Sequence, residues 1–263
     1  MDLGIKGRVA LVTGSSKGIG RAIANALAAE GAKVVICARN QDRLMETAKQ
    51  IEVSSGIKVL AIQADLRNKD DIALIVNKTV EKFGGIDVLV NNTGGPPPRL
   101  FYKISESEWV EAVNSLLFSV VNCCREVLPF MKKQKWGRII NMTSFAAKQP
   151  AKRLILSNTV RAGILGLTKT LSNELAEYGI LVNAVCPGWT LTQRVEELAR
   201  AKAKKTEENT DKIIWDWANS IPLKRLAQPE EIANLVAFLA SEKASYITGA
   251  VIQADGGFIQ SLT

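Results

Sequence analysis

Between residues 8 and 20 a short β-branched run meets a glycine-rich turn and then a helical pattern, and this junction constrains the fold more than any other stretch. Arg8 to Thr13 is short and apolar, as expected for a strand buried on both faces of a parallel sheet. Behind it Ile19, Ile23, Ala26 and Leu27 recur at helical spacing, and Glu30-Gly31 reads as a helix end with a glycine cap. The turn Thr13-Gly14-Ser15-Ser16-Lys17-Gly18-Ile19-Gly20 therefore opens a helix. Unpaired backbone N–H groups and a positive dipole end suit a pyrophosphate there, and glycines let the backbone approach it closely. An ordinary tight turn is the alternative; the flanking strand and helix favour a nucleotide site.

The same alternation continues along the chain. Six further strands are predicted at Lys33–Ala38, Ile57–Gln63, Ile86–Val90, Arg138–Met142, Leu181–Val185 and Ala250–Gln253. Between them, Asn40 caps a helix reaching about Ser54, Asn68–Phe83 is helical, and Ser105 with Glu108 forms a capping box for a long helix to Met131. A loop with Pro96-Pro97-Pro98 precedes that box. Further helices are expected over Arg153–Tyr178 and from Pro229 at its first position, with a charged helical excursion over Leu191–Ser220. Strands alternating with helices imply right-handed βαβ units. The expected fold is α/β, a Rossmann-type doubly wound sheet of seven parallel strands with helices on both faces and ligands at the strands' carboxyl ends. No linker divides residues 1–263, so a single domain is expected, with the excursion at about 191–221 attached to it.

Composition narrows the function classes. A hydrophobic content of 47% over 263 residues is ample for a packed core. Met1–Lys6 lacks an apolar signal region and no apolar run reaches spanning length, so a soluble cytoplasmic protein without a membrane partner is expected. Histidine is absent, which excludes every imidazole mechanism. Cys37, Cys123, Cys124 and Cys186 lack paired metal spacing and read as buried thiols, so no metal site is expected. The net charge of +8 comes from 34 basic and 26 acidic residues that are interspersed, as in Lys202 to Glu208. Lys132, Lys133, Lys135 and Arg138 form the one tight basic cluster, at a helix end where cations favour the dipole; no nucleic-acid partner is expected.

Thr13-Gly14-x-x-x-Gly18-x-Gly20, Asp65-Leu66, Asn91-Asn92-Thr93-Gly94, Asn114, Ser144, Pro187-Gly188-Trp189-Thr190-Leu191-Thr192 and Ala254-Asp255-Gly256-Gly257 occur in this order along essentially the whole chain. Taken together they resemble the short-chain dehydrogenase/reductase family, in particular its 3-oxoacyl-ACP-reductase-like members. The resemblance implies a nicotinamide cofactor held by Gly14, Ser16, Lys17, Gly18, Ile19 and Gly20. It also implies Asp65 and Leu66 beside the adenine, Asn92, Thr93 and Gly94 along the adenosine ribose, and Pro187, Gly188, Thr190 and Thr192 at the carboxamide and phosphates. Local turn capping by Asp, Asn and Thr is the bland alternative.

After the second strand the chain reads Cys37-Ala38-Arg39-Asn40, with no acid to bond a ribose 2′-hydroxyl. Arg39 and Lys17 instead suit a 2′-phosphate, so NADP(H) is expected over NAD(H). The resemblance also implies a catalytic tyrosine, a lysine four residues later and a serine that orients the carbonyl. Ser144 stands at the serine's place, but counting onward reaches Ser157 and Arg161, a register supported by Gly166-Leu167-Thr168 and Glu174-Leu175. A serine hydroxyl is too weak an acid to replace a phenol, and a guanidinium does not exchange protons near neutral pH. Arg161 retains the ability to bond ribose hydroxyls and stabilise an oxyanion. Ser144, Asn114, Ser157 and Arg161 are thus the candidate catalytic residues. The proton is expected from water near Asn114, Ser157 and Arg161, or from Tyr102 swinging in, while Tyr178 and Tyr246 read as structural.

Arg99, Lys148, Lys152 and Arg153 lie on loops after the fourth and fifth strands and point to an anionic or carrier-linked acyl substrate. Trp215 and Trp217 in the excursion either cover that substrate or pack on the core or a subunit interface. The family resemblance implies a homo-oligomer, a tetramer or dimer. Two readings remain: an oxidoreductase interconverting a carbonyl and an alcohol, or a nucleotide-binding protein with little redox activity, such as a sensor, a structural subunit or a lyase-like protein.

Overall fold

The structure, a computed structural model, describes residues 2–262. Its strands are β1 (Val9–Val12), β2 (Lys33–Ala38), β3 (Leu60–Gln63), β4 (Val88–Asn91), β5 (Gly137–Met142), β6 (Ile180–Pro187) and β7 (Val251–Ala254). All pair in parallel in the order β3-β2-β1-β4-β5-β6-β7. The chain runs outward from β1 in one direction and from β4 in the other, so the carboxyl ends of these two strands flank the crevice where ligands enter such sheets.

The helices are α1 (Gly18–Ala29), α2 (Gln41–Ser55), α3 (Lys69–Phe83), α4 (Glu106–Val113), α5 (Ser119–Gln134), α6 (Ile155–Leu175), α7 (Gln193–Thr206), α8 (Thr210–Ser220) and α9 (Pro229–Leu239). Two apolar layers sandwich the sheet. Ala10, Val12, Val34 and Ile36 meet Ile23, Leu27 and Val236 of α1 and α9 on one face. Leu11, Val35, Leu89 and Ile139 meet Ile75, Val127 and Ile164 of α3, α5 and α6 on the other. Alternate residues of one strand thus feed opposite cores, which is why the strands are apolar throughout.

Boundaries shift where side chains claim the backbone. β3 starts at Leu60 rather than Ile57 because Ser55 Oγ accepts from the Ile57 N–H and a Glu52 carboxylate oxygen from that of Val59. The helix expected to start at Arg153 starts at Ile155, since Arg153 has φ +66°. The long helix expected from Ser105 to Met131 is broken by a π-helical turn at Asn114–Phe118, where Ser115 and Ser119 hydroxyls bond the carbonyls of Ala112 and Ser115. The excursion is two helices, α7 and α8, separated at Glu207 with φ +56°. The Asn40 cap and the Ser105–Glu108 box form as the sequence predicts.

The basic cluster at the end of α5 is smaller than expected. Arg138 lies buried in β5, its guanidinium 4.2 Å from the centroid of the Trp136 ring and paired with Glu242. Among the described residues no helix is long and apolar enough to cross a membrane, and no group of His, Cys, Asp and Glu is arranged to hold a metal. All four cysteines are buried thiols.

Candidate active site

A cleft of about 930 Å³ opens at the carboxyl ends of the strands, at the upper end of ligand-binding cavities. Its floor is the glycine turn. Gly14 has φ +55°, and a Cβ there would stand 2.5 Å from the Asn92 carbonyl oxygen; at Gly20 it would stand 2.5 Å from that of Gly14. Only glycine allows this packing. Asn92, directly after β4, locks it, donating through Nδ2 to the carbonyls of Thr13 at 3.2 Å and Gly14 at 3.0 Å. Its amide is thus spent on shaping the turn, while Thr93 and Gly94 line the cleft beside it.

No side chain caps the first turn of α1 and no acid lies there, so its N–H groups face the cleft free. This cradle fits a pyrophosphate. Ser16, Lys17, Gly18, Ile19 and Gly20 line it, and Thr190 and Thr192 close the opposite side with Pro187 and Gly188. Thr192 caps α7 through the Val195 N–H, and Lys17 Nζ donates to Gln193 Oε1 at 3.1 Å.

The end of the cleft beside β2 and β3 is lined by Arg39, Asn40, Asp65 and Leu66, together with Arg43 and Arg67. Arg39 and Arg43 are exposed and form no ion pair among the described residues. Arg67 donates to both Asp65 carboxylate oxygens and to Glu111 at 2.9 Å, and this pairing holds the Asp65 carboxyl below its usual range. Sequence reading missed both arginines. Arg43 lies three residues beyond the Asn40 cap and Arg67 two beyond Asp65, spacings that carry a signal only once the strand ends are fixed.

At the other end Ser144, Ser157 and Arg161 come together. Ser144 Oγ accepts from the Ala146 N–H at 3.1 Å, which leaves its hydroxyl proton free to donate into the cleft. Ser157 is 7% exposed and its hydroxyl has no partner among the described residues. The carbonyl four residues back, that of Arg153 just before α6, is already taken by the Arg99 N–H at 2.7 Å.

Arg161, 5% exposed, fixes the loop tips of β4 and β5. Its Nη1 donates to the carbonyls of Met142 at 3.1 Å and Thr143 at 3.3 Å, and its Nη2 to those of Gly94 at 3.0 Å and Thr93 at 3.4 Å. Only Nε keeps an unused donor. Burial, and then repulsion from Arg194, lower its pKa to about 10, so it stays charged at neutral pH.

Several of the other candidates lie outside the cleft lining. Asn114 stands beside the cleft wall rather than on it: Glu108, Glu111, Ala112 and Ser115 line the cleft, whereas Asn114 lines an adjoining shallow groove with Glu106, Ser107, Val110 and the shared Glu111. Arg99, Lys148, Lys152 and Arg153 do not line it either, and Arg99 pairs with Glu108 at 3.3 Å. The positive charge there comes from Arg161 and from Arg194 of α7, which the sequence reading did not single out. Tyr102, the residue expected to swing in, is 76% exposed and outside the cleft lining, and Tyr246 is fully exposed.

The excursion is fastened over the site by aromatic rings. Trp217 stacks on Trp189 with centroids 4.3 Å apart, and Trp189 leans on Phe145, the residue after Ser144, at 5.1 Å. Trp215 is 65% exposed. The two tryptophans therefore part ways, with only Trp217 packed inward.

A family model described as enoyl-(acyl carrier protein) reductase matches residues 14–259. The chain belongs to the short-chain dehydrogenase/reductase family and is an oxidoreductase of it. It is 39% identical over 249 residues to a 3-oxoacyl-(acyl-carrier-protein) reductase of Staphylococcus epidermidis, covering 94% of this chain and 97% of that one. The corresponding reductase of Aquifex aeolicus is 37% identical over 257 residues, covering 98% and 99%. Among solved structures, L-sorbose reductase from Gluconobacter frateurii, complexed with NADPH and L-sorbose, matches with a TM-score of 0.95 at 35% identity, covering 100% of each chain.

Proposed function

We propose that the chain is an NADP(H)-dependent oxidoreductase that interconverts a carbonyl and an alcohol without the family's tyrosine and lysine. The observation that carries this reading is the free Ser144 hydroxyl, which shares the cleft with Ser157 and Arg161, where no tyrosine or histidine is found among the described residues. The NADPH-bound sorbose reductase and the unpaired Arg39 and Arg43 support the phosphorylated cofactor.

The residues that fit this cofactor are the α1 turn for the pyrophosphate, Asp65 and Leu66 for the adenine, and Thr190 with Thr192 at the nicotinamide side. Bound NADPH supplies a hydride. Ser144 donates its proton in a hydrogen bond to the substrate carbonyl and so fixes the face that is attacked. As negative charge grows on that oxygen, the Arg161 guanidinium stabilises it in a site of low dielectric. Ser157 orients the carbonyl or a water beside it, and the proton that completes the alcohol comes from water. This route forgoes a positioned acid, which costs roughly 10² to 10⁴ in rate.

One observation favours a second reading. Arg161 spends four of its five donors on backbone carbonyls, as a purely structural brace would, which suits a nucleotide-binding protein with little turnover. Titration with NADPH and NADH, followed by a panel of carbonyl substrates, separates the two. Tighter NADPH binding with substrate-dependent oxidation supports the reductase, and binding without turnover supports the second. A cytoplasmic homo-oligomer, with the segment at about 191–221 as a lid on a single domain, belongs to the same proposal.

A further inference from the structure

Resting on the reductase reading, we propose that Arg194 makes the reacting end of the cleft a receptor for a substrate carboxylate, so that the substrate is a small free oxo acid. Arg161 and Arg194 converge on one three-residue stretch. Arg161 Nη2 donates to the Gly94 carbonyl at 3.0 Å, and Arg194 Nη2 donates to that of Pro96 at 2.5 Å. A Cβ on Gly95, between them, would lie 3.6 Å from Arg194 Nε and Nη2. The guanidiniums are close enough for Arg194 to depress the pKa of Arg161 by repulsion.

Two half-buried to buried cations with no ion pair between them are costly unless an anion joins them. Neither forms an ion pair among the described residues. Glu197, the acid acting on Arg194, stands one turn along α7 and 3.9 Å from Lys17. Asp65 and Glu111, also on the cleft wall, are held by Arg67 at the far end. Ser157, a residue over nine-tenths buried whose hydroxyl has no partner among the described residues, lines the same cleft. A carboxylate accepts two donors from a guanidinium in one plane, and Arg194 has donors left after Pro96. With the carboxylate on Arg194, the neighbouring carbonyl falls to Ser144 and Ser157. A thioester has no charge for Arg194 to hold, so the carrier-linked acyl class is disfavoured.

The test compares 3-oxobutanoate, its methyl ester and its N-acetylcysteamine thioester with NADPH, in the full chain and in Arg194→Met and Arg194→Lys. A charge-assisted pair predicts an acid-over-ester preference of about tenfold to 100-fold in kcat/KM. That preference collapses in Arg194→Met and partly survives in Arg194→Lys. Equal use of acid and ester, or an equal loss for both in Arg194→Met, overturns the proposal and leaves Arg194 as a tie between α7 and the β4 loop. If no carbonyl is reduced, the reductase reading fails separately, and calorimetric binding of malonate to the NADP⁺-loaded protein decides. Binding that is lost in Arg194→Met and kept in Lys152→Gln supports the receptor; no binding, or binding indifferent to Arg194, refutes it.

Discussion

Arg161 Nη2 donates to the Gly94 carbonyl at 3.0 Å, and with the bond from Nη1 to Met142 at 3.1 Å it ties the β4 loop to the end of β5. A lysine has no planar fork with which to reach both sides. Arg161→Lys is therefore expected to leave buried carbonyls unsatisfied and lower stability by about 2–3 kcal/mol. Denaturant unfolding measures this. Arg161→Lys with full stability would show that the four bonds are dispensable.

Ser144 supplies the free hydroxyl at the reacting end, and Ser144→Ala also removes the cap on the Ala146 N–H. A fall in kcat of about 10²-fold with NADPH affinity unchanged is expected, since the loss is felt at the carbonyl and not at the phosphates. Steady-state kinetics paired with calorimetry reads both quantities. Loss of cofactor binding instead would place Ser144 in the nucleotide site.

The pH profile has an unusual expected shape. The chain has no histidine, no tyrosine lines the cleft among the described residues, and burial pushes the Cys186 thiol up, so no titration between about pH 6 and pH 9 is expected at the reacting end. Arg161 is a base whose folded pKa is depressed, to about 10. Its charge is present below that pH and lost above it. The kcat profile should therefore be flat through neutrality and fall as pH rises past about 10. A bell centred near neutral pH would reveal an acid or base that this site does not contain.

On the proposed reading, cofactor choice rests on the exposed cations Arg39 and Arg43. Arg39→Glu places a carboxylate where the 2′-phosphate is expected, so NADPH should weaken by about tenfold or more while NADH is spared. Competition by 2′,5′-ADP measured against 5′-AMP isolates the phosphate term. Equal inhibition by the two nucleotides would exclude a phosphate site at Arg39.

Much of this architecture was legible in the sequence because it depends on local chemistry. The β-branched runs, the Asn40 cap and the Ser105–Glu108 box each specify their own element. Helix phase was harder to read. Asn114 stands within two residues of the cleft stripe yet on the adjacent face, and a π turn that depends on hydroxyl-to-carbonyl bonds gives no periodic signal. Charge was misplaced for a related reason. Arg99 and Arg153 lie near the site in sequence, but one pairs with Glu108 and the other bends the chain at positive φ. Arg194 stands two residues past Thr192 at the start of α7, and its bond to the Pro96 carbonyl is a tertiary contact that the sequence pattern does not signal.

The central claim is that hydride chemistry proceeds in a cleft without a titrating acid. Incubation of the protein with NADPH carrying deuterium at its transferable position and with a panel of carbonyl substrates, followed by mass spectrometry of the alcohols, tests it most directly. The account predicts deuterium on the carbinol carbon of at least one product, at a rate roughly 10² to 10⁴ below that of a reductase with a positioned acid. Saturable NADPH binding with no deuterium in any product would contradict it.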